Sequence, residues 1–186
     1  MKCYSESLSE LICLIRGDLE RVFMPDDKGE EYEYARNHSL RLCGQITWTD
    51  SPGYPFTYQE KSRACVVALL HDVAEMAEYS VDDLRKRYES MEEFSEFFEK
   101  EDFDEIFSAL AILRRWPLET YSEYIDRVKC DKLAAIVKVY DITDNIRTCF
   151  RTGTRKSLID RYTKALKTLS EAFFVEGQAE ISFELD

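Results

Sequence analysis

Glycine and proline, the residues that interrupt regular structure, stand in this chain where they leave long stretches untouched. The glycines are at 17, 29, 44, 53, 153 and 177, and the prolines at 25, 52, 55 and 117. Neither occurs from Phe56 to Trp116, from Leu118 to Thr152 or from Thr154 to Glu176. These stretches are rich in Leu, Ala, Glu, Lys and Arg, which lose little side-chain freedom in a helix; an interior Gly or Pro would cost about 1 or 3 kcal/mol there. The pattern predicts an all-α fold. Helices are expected near residues 4–23, 31–46, 59–78, 92–115, 120–130, 131–151 and 155–175. Another opens SVDDLRKRYES, with Ser80 as N-cap and Asp83 three residues on. PDDKGEE and TWTDSPGYPFT read as loops, and the tail AEISFELD as either a strand or a disordered end.

A chain of 186 residues is long enough for one domain with its own core and short for two. We expect a single helical bundle over 1–186, with its chemistry within about 28–150, a C-terminal helix near 155–175 and a short tail at 177–186. Hydrophobic residues at 45% and charged residues at 33% give a soluble balance, and no apolar run approaches the roughly 20 residues of a membrane span. MKCYSESLSELICLI lacks a secretory pattern, so a cytoplasmic protein is expected. The six cysteines, at 3, 13, 43, 65, 130 and 149, form no CxxC pair. Most lie in helical patterns as small hydrophobes, so neither a disulfide framework nor a zinc knuckle is expected. The net charge of −12 argues against a nucleic-acid partner. It leaves room for an anionic small molecule, because a metal ion and a few cations can reverse the field inside a pocket.

Two segments concentrate charge. Residues 89–105, ESMEEFSEFFEKEDFDE, interleave carboxylates with Phe94, Phe97, Phe98 and Phe103. They read as an amphipathic helix with its phenylalanines in the core rather than as a protein-binding surface. Residues 147–167, RTCFRTGTRKSLIDRYTKALK, are basic and read as a solvated face, with anion binding as the alternative.

The chemistry centres on ALLHDVAEM. His71 sits on an apolar run and is followed at once by Asp72, and Glu75 lies one helical turn further on the same face. His38, the other histidine, falls in RNHSLRL on the preceding expected helix. VKVYDITDNI places Lys138, Asp141, Asp144 and Asn145 on one face of a helix whose Ile136, Val137, Val139, Ile142 and Ile146 mark it as core. A buried helix bears a desolvation penalty for such a cluster unless something pairs with it, and a divalent cation would do so.

In order and spacing these elements resemble the HD-domain metal-dependent phosphohydrolases, and within them the (p)ppGpp hydrolase domains of the RelA/SpoT homologues, especially the small alarmone hydrolases. ALLHDVAEMA stands for the branch's ALLHDVVEDT, ETYSEYIDRV for its YxxYI element and VKVYDITDNI for VKLADxxDN. The likeness spans roughly residues 28–150. It implies His38, His71, Asp72 and Asp141 as metal ligands, with manganese as the ion, and Glu75 as the catalytic glutamate that works with Asp72 on water. It also implies that Lys138, Asp144 and Asn145 line the nucleotide pocket or support the ligands, and that Tyr121 and Tyr124 match the tyrosines of YxxYI, against plain helix packing.

The departures are specific. Met76 replaces the aspartate that follows the glutamate in the branch. The early basic cluster that grips phosphates has no counterpart except Lys28, in MPDDKGEE. Arg114 replaces a threonine; with Arg115 it either offers new phosphate contacts or pairs with the acidic helix, and we expect the pairing. The resemblance implies removal of the 3′-diphosphate of ppGpp or pppGpp. The alternatives are an HD nucleotidase acting on another phosphorylated nucleotide, such as a nucleoside monophosphate or the 2′-phosphate of NADPH, and a non-catalytic nucleotide- or protein-binding domain. The aromatic loop between the two histidine-bearing helices is expected to form a lid or a pocket wall.

Overall fold

A computed structural model of the protein describes residues 4–48, 57–76, 78–153 and 156–173. Its centre is the helix α3 (Tyr58–Glu75), in which every residue from Ala64 to His71 is buried. A helix apolar all round has to be enclosed by others. Around it pack α1 (Tyr4–Asp18), α2 (Glu30–Trp48), α6 (Lys100–Leu113) and α8 (Lys132–Thr152). The bundle is completed by α4 (Val81–Glu89), α5 (Glu92–Phe97), α7 (Tyr121–Val128) and α9 (Lys156–Phe173), the last lying on α8 and α7. The fold is all-α, with no strand among the described residues.

Local chemistry sets the helix ends. Thr57 and Glu60 form a reciprocal capping box at the start of α3, Ser80 and Asp83 do so at α4, and Thr120 and Glu123 at α7. At the end of α8, Gly153 takes a left-handed conformation, φ 68°, that a side chain would disfavour.

Three expected spans come out differently. The first helix is α-helical only to Asp18 and continues as a π-turn from Leu19 to Phe23, which places both Leu19 and Phe23 in the core. The third stops at Glu75, because Met76 adopts an extended backbone. The span 92–115 is two helices. The backbone of Phe98 is extended, and the amide of Glu99 donates to the Asp102 carboxylate at 3.0 Å, which starts a new helix. The break lets Phe98 join Phe94, Phe97 and Phe103 in one aromatic cluster.

The phenylalanines of the acidic segment thus belong to the core, and the basic side chains Lys156, Arg161, Lys164 and Lys167 face solvent. The five described cysteines are free thiols. Among the described residues no helix is long and apolar enough to cross a membrane. The tail AEISFELD and residues 49–56 of the aromatic loop lie outside the described residues.

Leu69 on α3 is 0% exposed and Leu118 is 97% exposed. Leu69→Ala should therefore destabilise the protein by about 2–5 kcal/mol, from lost burial and the cavity left behind. Leu118→Ala should stay within about 0.5 kcal/mol. Urea unfolding of the two variants checks the contrast.

Candidate metal centre

Three core helices meet at one buried polar cluster. His38 comes from α2, His71 from α3 and Asp141 from α8; all three are buried, and one ligand atom from each lies within 4.8 Å of the others. The two imidazole rings are 5.5 Å apart. This group can hold a metal ion.

His71 carries the best test of that fit. Its Nδ1 lies 2.8 Å from the carbonyl oxygen of Ala68. A carbonyl only accepts, so Nδ1 holds a proton, and in the neutral ring Nε2 is the atom that presents a lone pair. That Nε2 is buried and makes no hydrogen bond, although Asp72 Oδ1 lies 3.2 Å away. A buried acceptor left unmade costs about 1–3 kcal/mol. A cation bound among His38, His71 and Asp141 would give it the partner it lacks.

The other two members are held by neighbours. His38 has Nε2 2.9 Å from Asp141 Oδ1 and Nδ1 2.8 Å from Asp144 Oδ2. Burial pulls its pKa down, but the bonds to Asp141 and Asp144 outweigh this and raise it to about 9. Asp141 also accepts from Asn145 Nδ2 at 2.6 Å, and its Oδ2 lies 2.6 Å from Lys138 Nζ. Burial pushes the Asp141 carboxyl up, while Lys138 and His38 together carry it well below the usual carboxylate range. The buried Lys138 is held charged by the same pair against its own desolvation.

Asp72 falls outside the closest group of three. Its Oδ1 is 3.2 Å from His71 Nε2, and its Oδ2 accepts from Ser39 Oγ at 3.3 Å. Half-buried, it opens onto a cavity of about 300 Å³ lined by Glu31, Tyr32, Ala35, Asp72, Glu75 and Met76. Glu75 reaches solvent through that cavity. The protein around it still desolvates its carboxyl and raises its pKa, with Lys138 pulling the other way. Glu75 and Asp72 thus share one cavity, and Met76 supplies an apolar wall where the resemblance has a second acid.

The remaining expected site residues divide. Asp144 and Asn145 stand behind the ligands, bonded to His38 and Asp141. Lys28 pairs with Glu78 and lies 5.1 Å from the ring of Tyr32, one side chain away from the cavity. Tyr124 is core packing: its hydroxyl donates to the Leu113 carbonyl at 2.7 Å. Tyr121 has a buried hydroxyl without a hydrogen-bond partner and a ring covered by Arg161. It also borders a separate cavity of about 170 Å³ between α7 and α9. Arg115 donates to the carbonyl of Glu119, and the carbonyl of Arg114 accepts from Arg127. The acidic helix α6 pairs instead with Arg63 and Arg85.

Reading the sequence missed Ser39, Arg41 and Gln45. The last two donate to Asp144, at 3.0–3.3 Å. Their signal is the spacing His38, Arg41, Gln45, which is one face of α2. No known family model matches this chain, and no curated protein matches it either.

Manganese or zinc titrated into chelator-stripped protein should give one binding event by calorimetry. His71→Ala, which removes the partnerless nitrogen, should weaken it by more than the roughly 10–100-fold that follows loss of an outer partner. A second expectation concerns the stripped protein alone. The His38 pKa is raised on folding, so its contribution to stability is complete below about pH 6.5 and disappears as pH rises through about 9. Urea unfolding should show that fall in the wild type, and His38→Gln should lack it.

Proposed function

We propose that this chain is a metal-dependent phosphohydrolase of a phosphorylated nucleotide, with the 3′-diphosphate of ppGpp or pppGpp as the group removed. The observation that carries the reading is the buried His71 Nε2 without a hydrogen bond, grouped with His38 and Asp141, next to Asp72, which shares a cavity with Glu75. The order of the H…HD…D and VKVYDITDNI motifs supports it. His38, His71 and Asp141 would hold the ion with Asp72 beside them, and this nitrogen and oxygen donor set suits manganese as well as iron or zinc. Such an ion supplies Lewis acidity toward a phosphoryl oxygen and toward water.

The protein's own groups do the rest. Glu75 takes a proton from the water whose oxygen attacks phosphorus. The bond from that phosphorus to the ribose 3′ oxygen breaks, Glu75 returns the proton to that oxygen, and the products are pyrophosphate and GDP or GTP. Ser39 orients Asp72, Asn145 and Lys138 fix the two oxygens of Asp141, and Asp144 fixes the tautomer of His38. With Met76 in place of a second acid, Glu75 handles the proton alone.

One observation favours a second reading, hydrolysis of a less highly charged nucleotide such as a nucleoside monophosphate. Glu31, Asp72 and Glu75 all line the cavity, while Lys28 is engaged by Glu78. Release of phosphate and pyrophosphate from ppGpp, pppGpp, NADPH and nucleoside monophosphates, measured with manganese, zinc or magnesium, separates the readings. Alarmone turnover that vanishes in Asp72→Ala and rises in Met76→Asp is the expected result. Bound metal without turnover of any of these nucleotides would overturn hydrolysis in favour of a binding domain.

A further inference from the structure

We infer that Arg41, with Gln45 beside it, is a positioning residue for the metal centre: its guanidinium fixes the Asp144 carboxylate and, through it, the ring of His38. The inference rests on the metal-centre reading above and adds residues that the motif resemblance does not assign. Asp144 Oδ2 accepts from His38 Nδ1 at 2.8 Å and from Arg41 Nη2 at 3.0 Å. Its Oδ1 accepts from Arg41 Nε at 3.3 Å and from Gln45 Nε2 at 3.2 Å. Four donor contacts from one face of α2 therefore hold a carboxylate on α8 and oppose its rotation. With Nδ1–H of His38 anchored there, Nε2 is held toward Asp141, 2.9 Å away, within the group that includes His71.

Arginine suits this task because its planar fork meets both oxygens of a carboxylate at once, which a lysine ammonium does only as a point charge. Arg41 also reaches His38 by a second route. Its guanidinium lies 5.9 Å from the ring of Tyr34, and that ring stacks on His38 at 6.3 Å with 4° between the planes. His71 needs no such support, since the carbonyl of Ala68 on its own helix holds it. It is a built-in control.

The Arg41 side chain is 37% exposed, so its loss leaves the apolar core intact. In stripped protein titrated with zinc alone, Arg41→Met should weaken binding about tenfold, in the range seen for outer-shell partners. Arg41→Lys should recover part of that loss. In an Asp144→Asn background Arg41→Met should add nothing further, as expected of residues acting through one another. Long-range proton–nitrogen spectra give a readout independent of metal: the His38 Nδ1–H signal should broaden in Arg41→Met while that of His71 stays sharp. Wild-type zinc affinity with an unchanged His38 signal in Arg41→Met would overturn the inference, and additive losses in the double variant would overturn the route through Asp144. Wild-type protein that binds no zinc would overturn the metal-centre reading along with it. Zinc binding indifferent to Arg41 would overturn the inference alone.

Discussion

The imidazole of His38 lies between two carboxylates of α8, Asp141 on one nitrogen and Asp144 on the other. This contact ties α2 to α8 across the inner end of α3, and much of the polar interior depends on it. Neither helix could bury these groups alone, since an isolated carboxylate or imidazolium in the core would cost several kcal/mol and would shed its charge instead. The buried charges alternate: Lys138 faces Asp141, Asp141 faces His38, His38 faces Asp144, and Asp144 faces Arg41. Each group is kept ionised by the next. Removing a middle member would strand its neighbours.

Such a chain is an expensive way to join three helices. A well-packed set of apolar side chains of similar volume commonly stabilises a core as well or better than buried ion pairs do. The surrounding core follows the cheaper rule, with α3 packing Ala64 to Leu70 without one charged side chain. The polar cluster begins at His71, one residue later, where the helix nears the cavity. His71 is also the one member whose inward nitrogen is left without a hydrogen-bond partner. The inward nitrogen of His71 stands beside that chain of mutually satisfied charges, and a cation bound there would complete the cluster, which the charges alone do not.

The sequence carried the helices and the chemistry where local rules decide them. Spans free of glycine and proline, and the cap at Ser80, were legible because propensity and capping act within a few residues. His71 and Glu75 were legible as one face, and Asp141, Asp144 and Asn145 as another, from helical periodicity alone. What escaped depends on contacts distant in sequence or on competition between local options. Nothing in ESMEEFSEFFEKEDFDE says that Asp102 will cap a new helix while Phe98 turns into the aromatic cluster; that is settled by burial. Arg41 looks like an ordinary surface arginine until α8 brings Asp144 against it. Tyr121 and Tyr124 look equivalent in YSEYI, yet the Leu113 carbonyl takes the hydroxyl of Tyr124 and leaves that of Tyr121 without a partner.

The net charge of −12 and the cavity make one electrostatic argument. Among the described residues Lys28, Arg41 and Lys138 stand near the centre, and each faces a carboxylate: Glu78, Asp144 and Asp141 respectively. The cavity itself is lined by Glu31, Asp72 and Glu75. Without an added positive charge these three carboxylates disfavour an anion in the cavity. A divalent ion among His38, His71 and Asp141 would be the largest local charge and would oppose the field of the carboxylates in the neighbouring cavity. The carboxylates that line the cavity would then select among anionic ligands, penalising each extra negative charge that the ion does not itself neutralise.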